Sequence, residues 1–334
     1  METKVPAVTP HLKRMLTVAT AALVFGMSTM ASAADLKLRM SASASATDQR
    51  AVAMTEVFGA EVAPFADFEG HWNSSLFKQG TDLEAIARGN LDMTITSAQE
   101  LAEFVPEFSI FSAGYVHRDA EHQKRVFAAD FMDPLKEQVE DLLNVKLLSV
   151  MYLGRRHVNL RTDQDVKTPA DLNGVKLRMP GSDAWQFLGR ALGANPTPMA
   201  FAEVYTGLQT GAVDGQDNPL PTNKDAKLYE VTKQIVLTGH LVDLNYIAIS
   251  KKVFDSLTPE QQAIVQKAAD DAAESARQKQ LKLEDELAQF FIDKGLRVYE
   301  PDLQAFQSTV QAAYLESDYS KQWPDGLLEK INAL

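Results

Sequence analysis

Strand and helix signals alternate from Asp35 onward, and this alternation predicts an α/β architecture built on largely parallel sheets. Two further observations set its scale. The chain has 334 residues, more than one hydrophobic core commonly organises, so two domains are expected. It has no cysteine, so a large apolar core rather than a set of disulfides must hold it together.

The amino terminus is of another kind. Lys13 and Arg14 precede an apolar run from Met15 to Met27, and Ala31-Ser32-Ala33 follows with small residues two apart. A basic start, a short apolar stretch and a small-x-small site describe a secretory signal peptide over residues 1–33, cleaved after Ala33. A membrane anchor is the weaker reading, because no stop-transfer pattern follows. Loss of that segment takes the formal charge from −12 to about −14. Such acidity argues against a nucleic-acid partner, which needs a basic footprint. An anionic ligand would have to be caught by a local cluster, since the overall field repels it.

Along the mature chain, "LKLRMSAS" from Leu36 opens as a strand, "RAVAMTEVFGAEV" from Arg50 continues as a helix, and "NLDMTI" and "VKLLSVMY" read as further strands. In "KTPADLNG", Thr168 is a helix N-cap, Pro169 the first helical residue and Gly174 the stop. The next strand, "VKLRMP" from 175 to 180, sends Val175, Leu177 and Met179 to one face and Lys176 and Arg178 to the other. Thr258 and Pro259 repeat the helix-start device, and after Pro259 no proline or glycine interrupts the 36-residue stretch 259–294 before Gly295. A helix of that length would run about 54 Å, longer than a small domain. It must span two domains or break near "ARQKQLKLED", and a connecting helix packed along both lobes is the favoured reading. An internal echo links "IARGNLDM" (86–93) with "LQTGAVDG" (208–215): in each a helix ends at glycine and a short strand follows, so each lobe would present the next loop to a common space.

A search for catalytic chemistry returns little. The six histidines lack the helical spacing of a zinc protease, and there is no thiol, phosphate-cradling loop, dinucleotide fingerprint or nucleophile elbow. No catalytic residue, metal site or cofactor is therefore assigned; paired carboxylates, as in a secreted enzyme acting on sugar acids, stay open as an alternative. What remains suits an anion. Arg178 ends its strand at a proline, Arg155 and Arg156 follow "VKLLSVMY" at a comparable sheet end, and the turn "DGQDNP" aims Asn218 from beside Pro219. Guanidinium forks match a carboxylate with two parallel hydrogen bonds. Arg155 and Arg161 are read as surface residues. Trp185, Phe187 and Leu188 lie at helical spacing and default to the core, Phe201 and Tyr205 four apart could do the same, and Trp72 in a polar loop is the better candidate to line a cleft.

The stretch "GANPTPMAFAEVYTGLQTGAVDGQDNP", residues 193–219, closely resembles the solute-binding proteins of TRAP transporters, the tripartite ATP-independent periplasmic systems of the DctP kind. "KTPADLNGVKLRMP" before it and "YEVTKQIVLTGH" after it resemble the same family, as does the layout from Ala34 nearly to the end. The resemblance implies a two-lobed periplasmic binding protein fold, with mixed sheets flanked by helices, hinge strands and one long connecting helix. One lobe would comprise 34–153 with about 244–283, the other 154–243 with about 284–334. It implies further that Arg178 clamps a ligand carboxylate, that Arg156 and Asn218 stand beside it, that Phe201 is an aromatic wall, and that Ser41 and Ser97 approach the rest of the ligand. Sialic-acid-binding members carry glutamate where Ser97 aligns, which argues against that ligand here. The implied protein is a non-catalytic periplasmic receptor for a small organic acid, such as a dicarboxylate, sugar acid or keto acid, serving the small and large membrane subunits of a permease. A receptor for an ATP-driven importer is the nearest alternative.

Overall fold

The computed structural model describes residues 36–334 together with Met1 and Glu2; the rest of the expected leader lies outside the described residues. Nine strands form one mixed sheet: β1 Leu36–Ser41, β2 Ala66–His71, β3 Met93–Ser97, β4 Val145–Leu160, β5 Lys176–Met179, β6 Asn195–Pro198, β7 Gly215–Pro219, β8 Gln234–Ser250 and β9 Arg297–Tyr299. Their order is β2-β1-β3-β8-β4-β7-β5-β6, with β9 also on β8.

The sheet is organised by its two longest strands. β4 and β8, of 16 and 17 residues, pair antiparallel over nearly their whole length. β3 joins the end of β8 that runs from Asn245 to Ile249. β7 joins β4 at Arg156–Leu160, and β9 joins β8 at Gln234–Val236. One parallel group (β1, β2) therefore hangs from one end of the long pair and a second (β5, β6) from the other. β8 is buried along almost every residue, polar ones such as His240 and Asp243 included, which fits its central place.

Three expectations change here. β4 does not stop near Tyr152: it continues through Arg155 and Arg156 to Leu160, because β8 offers a partner all along, with register shifts at Tyr152/Gly154 and Arg156/Val158 absorbing the bend. Arg156 is thus mid-strand rather than at a sheet end. "GQDNP" is likewise strand β7 and not a turn, since its backbone pairs with β4 on one side and β5 on the other. "KTPADL" forms only a 3-10 turn, Pro169–Leu172, although Thr168 and Asp171 do make the reciprocal capping box its sequence suggests.

The helix from Pro259 to Asp293 is unbroken over 35 residues and capped by Thr258 and Gln261. At 1.5 Å per residue it is about 52 Å long. Ala268, Ala269, Ala272, Ala273 and Ala276 pack it closely against β4 and the helical segment 49–62, and Leu287 and Phe291 bury its far half beside Leu220 and Ile235. Between these two apolar zones the contact turns polar. Gln280 donates to the Leu153 carbonyl, and Glu284 accepts from Arg155 N and from the Tyr152 hydroxyl, both at 2.6 Å. A side chain at Gly154, whose φ is +132°, would strike both Glu284 and Pro219.

The repeated joints are real structures. Gly89 (φ +76°) and Gly211 (φ +78°) take the left-handed conformation after their helices, ahead of β3 and β7 respectively.

One buried group sets an acid limit on the fold. His117 is 3% exposed, lies 6.2 Å from Phe111 in a stacked pair, and among the described residues has no hydrogen-bond partner on either ring nitrogen. Burial pushes its pKa down to about 3, with the charges of His122 and Arg118 acting the same way. The unfolded chain takes up this proton near pH 6.5 and the folded chain refuses it until much lower pH, so stability falls as pH drops through that window. His117→Phe keeps the stack and removes the titration. Its stability, followed by urea unfolding between pH 6.5 and 4, should decline less steeply than that of the unaltered chain by up to about 1.4 kcal/mol per pH unit.

Candidate ligand-binding site

A cavity of ≈ 60 Å³ opens where the loops after β1, β2, β3, β5 and β7 converge on the middle of β4 and β8. Arg178, Arg156, Asn218, Phe201 and Ser97 all line it.

Arg178 is placed by strand alternation. Leu177 and Met179 take the core side of β5, so Arg178 points the other way, into the cavity and not into water: it is 1% exposed. Its Nε donates to the Met199 carbonyl at 2.8 Å and its Nη2 to Gln79 Oε1 at 3.4 Å. The guanidinium carbon lies 5.8 Å from the centre of the Phe201 ring. Among the described residues no carboxylate pairs with it. Burial pushes its pKa down to about 9, Asp217 pulling it partly back up, so the group is still charged at neutral pH. A buried, charged and unpaired guanidinium is costly to keep, and an anionic ligand would relieve that cost.

Arg156 is in the opposite condition. It lies 3% exposed, with Nε 2.7 Å from Asp217 Oδ2, Nη2 3.0 Å from Asp217 Oδ1 and Nη1 2.8 Å from Asp243 Oδ2. Nη2 also donates to the Asp217 carbonyl, so most of its five N–H groups are engaged within the protein. Its cation lies 4.5 Å from the centre of the Trp185 ring. Against the upward pull of burial, Arg156 and His240 hold the Asp217 carboxyl well below the usual carboxylate range. The network anchors the cavity floor as much as it faces a ligand.

Asn218 is fixed by a buried run of carboxamides: its Nδ2 donates to Gln216 Oε1, and Gln216 Nε2 donates to Asn159 Oδ1 and Asn223 Oδ1 at 3.1 and 2.8 Å. Ser97 is the N-cap of the turn Ala98–Leu101, in a capping box with Glu100. Glu100 Oε2 accepts from Ser97 N and Thr96 Oγ1, both at 3.0 Å, and burial raises its pKa. The two echo segments thus deliver Ser97 and Glu100 on one side, and Asn218 and Thr222 on the other, to the same cavity.

Ser41 and Trp72 are not among the lining residues. β1 extends through Ser41, which is wholly buried beside Asp82, so the loop reaches the cavity two positions later, at Ser43. The Trp72 ring folds back over Gly70 and onto the apolar cluster under β1. Gln79, further along that loop, takes part instead: its Oε1 accepts from Phe201 N at 2.8 Å as well as from Arg178. Sequence reading also passed over Arg50, Glu100, Asp243, Asn245 and Trp185. Arg50 is held by Asp48 at 2.8 Å and donates to Asn245 Oδ1 at 2.5 Å. No local pattern marks these as cavity residues: Arg50 and Glu100 bond to near neighbours, Asp48 and Ser97, and only the distant parts of the fold turn them toward the cavity; Trp185 stood out, and its helical spacing favoured the core.

A family model, bacterial extracellular solute-binding protein, family 7 (DctP), matches residues 39–321. The sialic acid-binding periplasmic protein SiaP of Vibrio cholerae serotype O1 is 33% identical over 252 residues, 75% of this chain and 77% of that one. Among solved structures, a TRAP periplasmic solute-binding protein of Roseobacter denitrificans with bound 3-deoxy-D-manno-oct-2-ulosonic acid is 64% identical, with a TM-score of 0.88 over 89% of this chain and 99% of the other. A second one from that organism, with bound L-galactonate, is 28% identical with a TM-score of 0.82, covering 90% and 99%. The chain belongs to the family 7 solute-binding proteins, two-lobed receptors of TRAP transporters.

The Arg156 network allows a structural test. Asp217→Asn would set an amide against a guanidinium that expects two carboxylate oxygens, leaving a buried charge half paired. Urea unfolding should show a loss of about 3–5 kcal/mol.

Proposed function

We propose that this receptor captures a sugar acid by its carboxylate in the cavity and hands it, chemically unchanged, to the small and large membrane subunits of a TRAP permease. Arg178 carries the reading. It is a fully buried cation that no described acid neutralises, so a ligand carboxylate completes its electrostatics as well as its hydrogen bonding. The relative at 64% identity holds an eight-carbon sugar acid, 3-deoxy-D-manno-oct-2-ulosonic acid, and the more distant one holds L-galactonate. Both fit a site with one cation and many hydrogen-bonding groups.

On this reading Phe201 walls the carboxylate, and Asn218, Gln79 and Ser97 address the hydroxyl-bearing chain. The lobes comprise 34–153 with about 244–283 and 154–243 with about 284–334, and the division falls at the β4 irregularity beside Gly154. Ligand bound to both lobes stabilises their closed arrangement, which the permease would recognise. The leader directs export to the periplasm and is cleaved after Ala33.

Calorimetric titration of the mature chain with 3-deoxy-D-manno-oct-2-ulosonate and a panel of aldonates and uronates tests this. Arg178→Ala should weaken binding of whichever sugar acid binds by roughly 30-fold to several thousand-fold, the 2–5 kcal/mol of a lost buried charge pair. Arg178→Lys should recover only part of that, because an ammonium lacks the fork. Unchanged affinity in the alanine variant, or no response of the native chain to any sugar acid, would remove the proposal.

A further inference from the structure

The charges around the cavity do not cancel evenly. Of its three arginines, Arg50 is paired with Asp48 and Arg156 with Asp217 and Asp243, leaving Arg178 as the unpaired cation among the described residues. Glu100 is the complementary case. It lines the same cavity and forms no ion pair among the described residues, its nearest interactions being with Ser97 N and Thr96 Oγ1 through Oε2. Those two bonds fix the carboxylate, and its other oxygen, Oε1, has no protein hydrogen-bond partner among the described residues. The cavity thus offers a guanidinium without an acid partner and a preset carboxylate without a basic one among the described residues.

We propose that Glu100 determines the class of sugar acid accepted: it receives a hydroxyl from the ligand and repels a second carboxylate, so the receptor prefers polyhydroxylated monocarboxylates to dicarboxylates of similar size. The proposal rests on the sugar-acid reading above and narrows it. A carboxylate at Glu100 accepts a hydrogen bond from any hydroxyl in reach, and a charge-assisted bond of this kind is about twice as strong as a neutral one. The same oxygen placed against a second ligand carboxylate meets like charge in a poorly hydrated space with no free cation to compensate. Because the capping bonds already hold Glu100, little ordering is required when the ligand arrives. The cap also explains why neutral replacement is informative: glutamine serves the same position in a capping box and retains an acceptor oxygen, so Glu100→Gln removes charge while keeping shape.

The experiment is competitive calorimetry on the full mature chain and on Glu100→Gln, with 3-deoxy-D-manno-oct-2-ulosonate as monocarboxylate and D-glucarate as dicarboxylate. The native chain should bind the monocarboxylate at least tenfold more tightly. In Glu100→Gln that preference should shrink by tenfold or more, mainly through stronger dicarboxylate binding. A native chain that binds both acids equally, or a variant with monocarboxylate binding intact and an unchanged preference, overturns the role of Glu100 and leaves the sugar-acid reading standing. Failure of the native chain to bind either acid or any other sugar acid sinks both. Should the variant fold poorly, as its thermal transition would reveal, equal binding of the two acids by the native chain would still overturn the proposal.

Discussion

The pairing of β4 with β8 is the constraint from which the rest follows. Two strands of 16 and 17 residues, hydrogen-bonded almost end to end, carry a separate parallel group at each end, and the long helix lies along them. Their pairing shifts register three times, at Leu147/Ser149, Tyr152/Gly154 and Arg156/Val158. The stretch that holds the last two also supplies the cavity floor through Leu153, Arg156, Asp243 and Asn245.

Those residues also explain why the floor is polar. Inserting Arg156, Asp217, Asp243 and His240 into a sheet otherwise lined by aliphatic side chains costs desolvation, which mutual hydrogen bonding offsets. The network holds β4, β7 and β8 in one relative arrangement, since each strand contributes a member. Arg178 stands beside this satisfied cluster but takes no carboxylate from it. The contrast between one arginine bound by two acids and another bound by none separates scaffold from receptor more clearly than residue type does.

Much of this was legible in the sequence, for identifiable reasons. The period-two pattern around Arg178 and the proline after it needed no distant information, and neither did the Thr258 cap or the glycine-ended joints that deliver Ser97 and Asn218. The length of β4 was not legible, because it depends on a partner strand nearly ninety positions later, as the 87-residue separation of Arg156 and Asp243 illustrates. The state of Arg156 was hidden for the same reason. Local pattern also placed Ser41 and Trp72 nearer the cavity than they are, since a strand's last residue and a folded-back indole are decided by neighbours such as Thr94 and Gly70. Glu100 was passed over, and its cavity position emerged only with the fold.

The depth of Arg178 has a kinetic consequence. The chain carries a formal charge of −12, so an approaching anion is opposed at long range and attracted only once it is inside. Salt acts on these two stages differently: at physiological ionic strength the screening length is about 8 Å, enough to blunt the outer repulsion but not to enter a dry contact. Raising ionic strength should therefore hasten arrival of the ligand and scarcely alter its departure. Receptors that steer anions with exposed positive patches lose affinity in brine; a recessed cation within an acidic shell holds its ligand better there.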